Sequence, residues 1–345
     1  LLIPGMLMRI FTNDPILIRG GSLYLRVIAV SYLLTGISQM YLCILKNSGR
    51  AAKSSMISAT SVVVNIFINA VLIYGLFGMP RMEIAGAALA TVTARIIEVT
   101  WCVLETVGKD QVKLRAKYLR RDDPVLRRDF WKYTTPVICN EIVWGTGFSM
   151  YSVILGHLGT EAVAANSLVT VVRNVGSVFC FAIASAGTIL LGRVMGQGEL
   201  EKSKSYASGM LKMTVVAGAV GGVIVLAVTP FVLRFASLND TAMHYLKYML
   251  LINSYYIMGS AVNTALIAGV FRAGGDTKFG LICDTIDMWV YAVPLGFFAA
   301  FVVKLPVLWV YFLLCTDEFV KWPWVIHHYR KGEWAKNITR EDIFE

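Results

Sequence analysis

Long apolar runs, separated by short polar stretches, are the main pattern of this chain. Nine of these runs are long enough to cross the hydrocarbon core of a bilayer, roughly 30 Å thick, as a helix. They lie at 22–45, 54–78, 84–107, 131–155, 163–191, 209–233, 242–270, 279–303 and 305–326, after a shorter apolar piece at 1–11. A helix satisfies its own backbone hydrogen bonds, which lipid cannot do. The pattern therefore predicts an all-α polytopic membrane protein.

Composition and the position of the charges support the same class. Hydrophobic residues make up 57% of the chain and charged residues 16%, against about 45–50% and 25% in a soluble domain. The net charge of +10 does not indicate a nucleic-acid partner, because 22 of the 32 Lys and Arg residues lie in alternate short loops. Basic loops remain on the cytoplasmic side of a membrane. We expect a multi-pass protein of the cell membrane, with its basic loops and C-terminus in the cytoplasm.

Helix breakers and charges recur at a fixed offset of 226 residues. Pro4 matches Pro230 and Gly49 matches Gly275; the further pairs are Asn13 and Asn239, Asp14 and Asp240, Lys46 and Arg272, Pro80 and Pro306, and Arg95 and Lys321. Duplicated halves are common in membrane transporters, and a repeat sets the architecture of the whole chain. The offset predicts two six-helix bundles related by a parallel repeat, with the first bundle incomplete.

The repeat divides the chain into four segments. These are a partial N-lobe at 1–108, from the end of its third helix to its sixth, a basic cytoplasmic linker at 109–128, a complete six-helix C-lobe at 129–326, and a cytoplasmic tail at 327–345. The segment 129–226 has no counterpart ahead of Leu1. We therefore expect an N-terminally truncated sequence that lacks roughly two and a half helices, given about 20 residues per span.

Several short motifs occur in a fixed order along the chain. They are GAALAT at 86–91 after Asn65, Asn69 and Pro80, GTEAVAA at 159–165, GRVMGQGE at 192–199 with KSKSYA at 202–207, and RAGGDT at 272–277. This ordered set resembles the multidrug and toxic compound extrusion (MATE) family over essentially the whole chain. The resemblance implies twelve helices in two bundles and alternating access driven by Na⁺ or H⁺. It also implies organic cations and amphipathic drugs as cargo.

Glu141 is the leading candidate for chemistry within a span. It lies about ten residues into the first helix of the complete lobe, after Pro136 and beside Asn140. An ionisable residue inside a membrane is costly and is by default a functional candidate. A carboxylate there can hold a proton, Na⁺ or a cationic drug, and the MATE resemblance gives an acid on this helix a coupling or substrate role. The alternative is a structural ion pair. A Na⁺ at Glu141 is the one metal expected, and no cofactor is expected beyond the coupling ion.

Further polar residues lie in the later spans. Asp284 and Asp287 are three residues apart and share a helical face, and Asp287 lies at a depth close to that of Glu141, so these two could share a cavity. For Asp284 we favour a pair with Lys278 near the interface. Several relatives in the resembled family carry an acid on the helix at 242–270, where this chain has Asn253 and Asn263. Amide oxygens can still contribute to a cation site.

Other charged residues are interpreted as structural. Arg173 has Asn166 on the same helical face and is expected to offset the charge of an acid in the second lobe. Arg95 and Glu98 are three residues apart and should form an ion pair. Asp317 and Glu318 should pair with Lys321. Apolar and aromatic side chains suit a cavity for organic cations. Those we expect to line it are Met150, Tyr151, Tyr255, Tyr256, Met258, Met288, Trp289 and Tyr291.

The main hypothesis is a monomeric, cation-coupled antiporter in the lipid bilayer that exports small amphipathic or cationic compounds. The alternative is a flippase for lipid-linked precursors, which usually needs a strongly basic central cavity. The intramembrane basic residues are few here, namely Arg95, Arg173 and Lys212. An enzyme is not expected, because the chain contains no H-E-x-x-H, G-x-S-x-G or P-loop motif.

Overall fold

The computed structural model describes residues 4–11, 15–107 and 123–337, and these form helices and connecting turns without a strand. The chain divides into two compact units, Leu1–Asp122 and Asp123–Glu345. The boundary falls within the predicted linker at 109–128. Most of that linker, including its basic cluster up to Arg121, lies outside the described residues.

The described residues of the first unit form four helices and a short 3₁₀ turn. The helices are α1 (Pro4–Phe11), α2 (Pro15–Asn47), α3 (Ala51–Tyr74) and α4 (Glu83–Val107), and the 3₁₀ turn is Leu76–Gly78. Within α3 only Ser54, Ile57 and Ser61 are buried, while several of its large apolar side chains, such as Ile66 and Phe67, are exposed. Such an apolar surface is expected where a helix faces lipid rather than water.

From residue 123 to 337, the second unit forms five long helices followed by three short ones. They are α5 (Pro124–Leu158), α6 (Thr160–Gly196), α7 (Leu200–Phe235), α8 (Asp240–Phe271), α9 (Thr277–Val302), α10 (Val307–Leu314), α11 (Asp317–Val320) and α12 (Trp322–Lys331). The end of α8 and two stretches of α9 are π-helical, at Thr264–Phe271, Ile286–Ala292 and Phe298–Val302. π-helical turns widen a helix and occur frequently at functional sites.

Seven of the described helices are long and apolar enough to cross a membrane, namely α2, α3, α4, α6, α7, α8 and α9. The predicted span at 131–155 lies inside α5, which is not among the seven because polar residues such as Asn140 and Glu141 dilute its apolar character. The prediction of one continuous helix at 305–326 is wrong, since the chain turns after Leu314 and again at Lys321. Pro323 contributes to the second break, because proline lacks the N–H of a helix interior and disfavours helix at the residue before it.

Two turns related by the offset of 226 residues have the same geometry. In one, Gly49 has φ 81° and the Arg50 amide donates to the Leu45 carbonyl at 2.9 Å. In the other, Gly275 has φ 75° and the Asp276 amide donates to the Phe271 carbonyl at 2.9 Å. Glycine adopts positive φ without the steric penalty of a Cβ. The repeat therefore recurs in backbone conformation at this turn; the two-bundle architecture stays a prediction.

The beginning of the predicted cytoplasmic tail is packed against the second unit. The Trp334 side chain is only 1% exposed and lies in a core cluster with Met210 and Phe271. Its indole N–H donates to the Tyr329 carbonyl at 3.1 Å. A Cβ at Gly274 would overlap the carbonyl oxygen of Trp334. The tail is thus part of the fold as far as Trp334, because glycine at 274 allows its backbone to approach.

Candidate functional site

A buried ionic cluster lies where α9 meets α11. The Lys321 ammonium is 3.3 Å from a carboxylate oxygen of each of three acids, Asp284, Asp287 and Glu318. The four side chains are between 3% and 7% exposed. Asp284 and Asp287 share one face of α9, as their spacing predicts, and Lys321 follows α11. The expected pair of Glu318 with Lys321 is confirmed, whereas Asp284 pairs with Lys321 and not with Lys278.

A fourth carboxylate, that of Asp317, borders this cluster. The Tyr151 hydroxyl donates to its Oδ2 at 2.8 Å, and the Glu318 amide donates to its Oδ1 at 2.7 Å. The expected pair of Asp317 with Lys321 is not made, because its oxygens are taken by these donors. Asn263 donates to both the carboxylate and the carbonyl of Glu318 at 2.6 Å. Four carboxylates thus surround a single ammonium in the core of the unit.

Several buried oxygens near the cluster have no hydrogen-bond donor. Among the described residues these include Oδ1 of Asn140 and of Asn263, which are 5% and 3% exposed, and Oδ1 of Asp287, whose other oxygen, Oδ2, lies 3.3 Å from the Lys321 ammonium. A buried acceptor without a donor is unfavourable, and such groups are rare in folded proteins. The cluster therefore offers unfilled acceptors as well as surplus negative charge, and both features suit a proton or a cation.

One cavity, here called the Glu141 cavity, opens onto this cluster and has a volume of about 270 Å³. Its polar lining comprises Asn140, Glu141, Ser260, Asn263, Thr264, Arg272, Asp284, Glu318 and Lys321. Glu141 is not an isolated intramembrane acid. Its side chain is 57% exposed, and its Oε1 accepts from Arg272 Nη2 at 2.6 Å. The expected sharing of a cavity by Glu141 and Asp287 is not seen, since Asp284 lines this cavity and Asp287 does not.

A second cavity, here called the Arg173 cavity, has a volume of about 180 Å³ and follows the first along α5. Its lining is Phe148, Tyr151, Ser152, Leu155, Asn166, Thr170, Arg173, Tyr256, Tyr311, Leu314 and Cys315. The prediction that Arg173 and Asn166 share a face is confirmed. The prediction of an acidic partner for Arg173 is wrong, because no carboxylate among the described residues lies within 4.0 Å of its guanidinium.

The remaining predicted residues are distributed around these cavities. Tyr151 and Tyr256 line the Arg173 cavity and also donate to Asp317 and Glu318, so they separate it from the ionic cluster. Asn253 is buried beside the second cavity and donates to the Tyr311 hydroxyl. Neither cavity is lined by the other six residues expected to line one, which are Met150, Tyr255, Met258, Met288, Trp289 and Tyr291.

The structure adds residues that the sequence analysis treated as structural. Lys321 and Glu318 lie at the centre of the candidate site and Asp317 borders it, although their spacing predicts only that they pair with one another. The feature of the sequence that could have indicated this role is the close spacing of three charged residues inside an apolar segment. In the first unit, the expected pair of Arg95 and Glu98 is confirmed at 2.5 Å. No group of three or more His, Cys, Asp or Glu side chains arranged to hold a metal ion occurs among the described residues, and Na⁺ at Glu141 remains a prediction.

Long apolar helices around buried ionic groups and small cavities define a polytopic helical membrane protein. The chain belongs to the MatE family, whose model matches residues 1–71 and 136–298. The family resemblance noted in the sequence is thereby confirmed.

Similar proteins support this assignment. A "Probable multidrug resistance protein NorM" of Thermotoga maritima is 24% identical over 93% of this chain and 69% of its own length. One of Listeria innocua is 27% identical over 73% of this chain, which spans 56% of that relative. A crystal structure of a MATE protein in complex with MaL6 superposes with a TM-score of 0.80 at 16% identity, covering 96% of this chain and 74% of that one. The likeness of the structures concerns the fold.

Proposed function

We propose that the protein is an antiporter, coupled to H⁺ or Na⁺, that exports small amphipathic or cationic compounds by alternating access. The observation that carries the proposal is the excess of buried carboxylates over ammonium groups around Lys321. Carboxylates packed this closely away from water cannot all remain ionised beside one cation. The cluster must therefore hold protons or a further cation, which is the property that a coupling site needs.

The Glu141 cavity connects this cluster to the surface of the unit. An ion that enters it meets the Glu141–Arg272 pair first and then Asp284 and Glu318. The unfilled oxygens of Asn140 and Asn263 add neutral ligands of the kind that hard cations accept. Coupling follows if the ion and the cargo compete for this charge or favour different conformations. Membership of a transporter family and the multidrug-resistance names of the relatives support export over catalysis.

Transport of a fluorescent organic cation tests this proposal. In drug-sensitive cells, we expect lower accumulation with the wild type than with empty vector. Asp287→Asn and Glu141→Gln should restore accumulation at equal expression, whereas Glu201→Gln, an exposed acid on α7, should not. In everted vesicles, collapse of the pH gradient or removal of Na⁺ identifies the ion. Equal accumulation with the wild type and the empty vector would contradict generic cation export.

The alternative of a flippase for lipid-linked precursors predicts a strongly basic cavity for pyrophosphate. The Glu141 cavity combines two basic side chains with three acidic ones, and the Arg173 cavity has one basic side chain. This charge pattern favours the antiporter. If cation export fails, transfer of a fluorescent polyprenyl pyrophosphate across vesicle leaflets tests the alternative.

A further inference from the structure

We propose that the Arg173 cavity is a binding site for the carboxylate of an organic acid or zwitterion, so that cargo with an aromatic or short apolar body and an anionic group is accepted there. The inference rests on the geometry of the cavity and deepens the proposed function by adding a substrate class to it.

The first observation concerns the guanidinium of Arg173. Its carbon lies 5.2 Å from the centre of the Phe148 ring and 5.8 Å from that of Tyr256. A cation over the face of an aromatic ring is attracted without forming a hydrogen bond, so these contacts do not occupy the N–H donors of the guanidinium. Among the described residues, neither an ion pair nor a hydrogen bond occupies those donors. A guanidinium presents its donors in a planar fork that matches both oxygens of a carboxylate.

The second observation concerns the charge of the walls. Arg173 is the only side chain of the cavity lining that is charged at neutral pH. The neighbouring acids Asp317 and Glu318 are held by the hydroxyl groups of Tyr151 and Tyr256 on the far side of these two rings. The rings thus separate a positive cavity from a negative cluster. An anion in the cavity is attracted by the positive charge of Arg173, whereas an organic cation there would be repelled by it.

The third observation concerns size and polar neighbours. A volume of about 180 Å³ is smaller than the roughly 300–1,000 Å³ typical of sites for drug-sized ligands. It has room for a carboxylate with one attached ring or a short chain. Asn166 and Thr170 lie on the same wall as Arg173, and the Asn166 side chain makes no hydrogen bond within the described residues. Its amide can donate to a carboxylate held by the guanidinium.

Direct binding of benzoate tests the site without requiring transport. With purified protein in phosphatidylcholine nanodiscs, a saturation-transfer NMR titration compares benzoate with benzamide and benzylamine, which have similar shapes and different charges. We expect benzoate to bind best. Arg173→Gln should weaken benzoate by about tenfold or more, since a charge-assisted bidentate contact is lost, and should leave benzamide unchanged. Arg193→Gln, an exposed arginine on the same helix, should alter neither.

Two further variants keep the test valid if Arg173→Gln does not fold. Arg173→Lys retains the charge and loses the planar fork, so benzoate should bind with intermediate affinity. Ser152→Leu fills the cavity from its exposed edge and leaves residue 173 unchanged, so it should also weaken benzoate binding. Equal affinities for benzoate and benzamide, or benzoate affinity unchanged in folded Arg173→Gln, would overturn the inference.

A matched pair of cargo molecules separates this inference from the proposed function. In cells, a rhodamine with a free carboxylate on its pendant phenyl ring, which is the part that the cavity has room for, is compared with its methyl ester, which is a cation. We expect Arg173→Gln to reduce export of the free acid severalfold relative to export of the ester. Export of the ester without any effect of Arg173→Gln on the acid would overturn the carboxylate site alone. Loss of export of both compounds by the wild type would instead contradict the proposed function, while the benzoate titration still decides the site.

Discussion

Lys321 determines the balance of charge at the centre of the second unit. Its ammonium lies within 3.3 Å of three buried carboxylates and is itself 5% exposed. Burying a charge is unfavourable unless it is paired, and removing one partner of a buried pair leaves the other uncompensated. With four acids nearby, Lys321 is the member of the cluster whose loss would leave the most unbalanced charge.

We predict that Lys321→Met destabilises the protein by about 3–5 kcal/mol, the loss expected when a buried ion pair is broken from one side. Thermal unfolding of the purified protein in detergent measures the change. Adding Asp287→Asn should recover part of the loss, because it removes one of the uncompensated carboxylates. Lys212→Met, at an exposed position on α7, is the control. An unchanged unfolding temperature in Lys321→Met would contradict this account of the cluster.

At the residue scale, the sequence shows which charged side chains lie inside a span more readily than it shows what they contact. The cost of a charge in a span correctly directs attention to Asp284, Asp287 and Arg173. It cannot show that Arg272, from the turn after α8, reaches Glu141. Nor can it show that the Arg173 guanidinium lies over the rings of Phe148 and Tyr256. These contacts join residues more than 80 positions apart or depend on side-chain direction, and periodicity within one helix carries no information on either.

At the scale of elements, small residues set the spacing of α6, α7 and α8. A Cβ at Gly221 of α7 would lie far inside contact distance of the Gly176 carbonyl of α6, and one at Gly222 would lie 2.5 Å from the Ser254 carbonyl of α8. Helices in membranes associate through such close backbone packing, because there is no hydrophobic gain from leaving lipid. The three helices therefore depend on glycine at these positions.

We predict that Gly221→Ala lowers the stability of the second unit by roughly 1–3 kcal/mol, the range for overpacking a tight core. Gly209→Ala, on the same helix with no atom within 4 Å of the added Cβ, should be neutral or slightly stabilising because alanine favours helix. Thermal unfolding of both variants in the same detergent gives the comparison. Equal effects would show that helix propensity, and not packing, controls this position.

Gly274 gives a second prediction at this scale. An alanine there would overlap the Trp334 carbonyl oxygen, so we expect Gly274→Ala to release the segment that follows α12. Limited trypsin digestion should then cut faster after Lys331, an exposed residue at the end of α12. Gly192→Ala, which introduces no contact within 4 Å, should be cut at the wild-type rate. An equal rate in Gly274→Ala would mean that the tail is held by other contacts.

Helix positions follow from the sequence more closely than helix continuity does. Seven predicted apolar runs lie within or nearly coincide with single helices, because a long apolar run in lipid has few structures other than a helix. The run at 305–326 forms three helices because proline and polar groups interrupt a helix at single positions. The mean hydropathy of the whole run does not reveal these interruptions. The packing of Trp334 depends on Gly274, which is 60 residues away, so the residues next to Trp334 do not predict it.

At the scale of the whole molecule, continuous helices fix which turns lie on the same side of a membrane. α7 runs without interruption from Leu200 to Phe235, and 36 residues at 1.5 Å each span more than the roughly 30 Å of hydrocarbon. Its two ends must therefore lie on opposite sides if it crosses the bilayer. Arg193, Lys202 and Lys204 lie near its first end, and the positive-inside rule assigns that end to the cytoplasm.

Cysteine labelling in intact cells tests this orientation. In a variant without its six native cysteines, Ser237→Cys, in the exposed turn after α7, should react with a membrane-impermeant maleimide added outside. Lys202→Cys, at the first turn of α7, should react only after the cells are permeabilised. The two positions belong to one helix, so each serves as the control for the other. The reverse pattern would place the basic loops outside, and the entrance of the Glu141 cavity, which lies beside Arg272 in one of those loops, would then face the external medium.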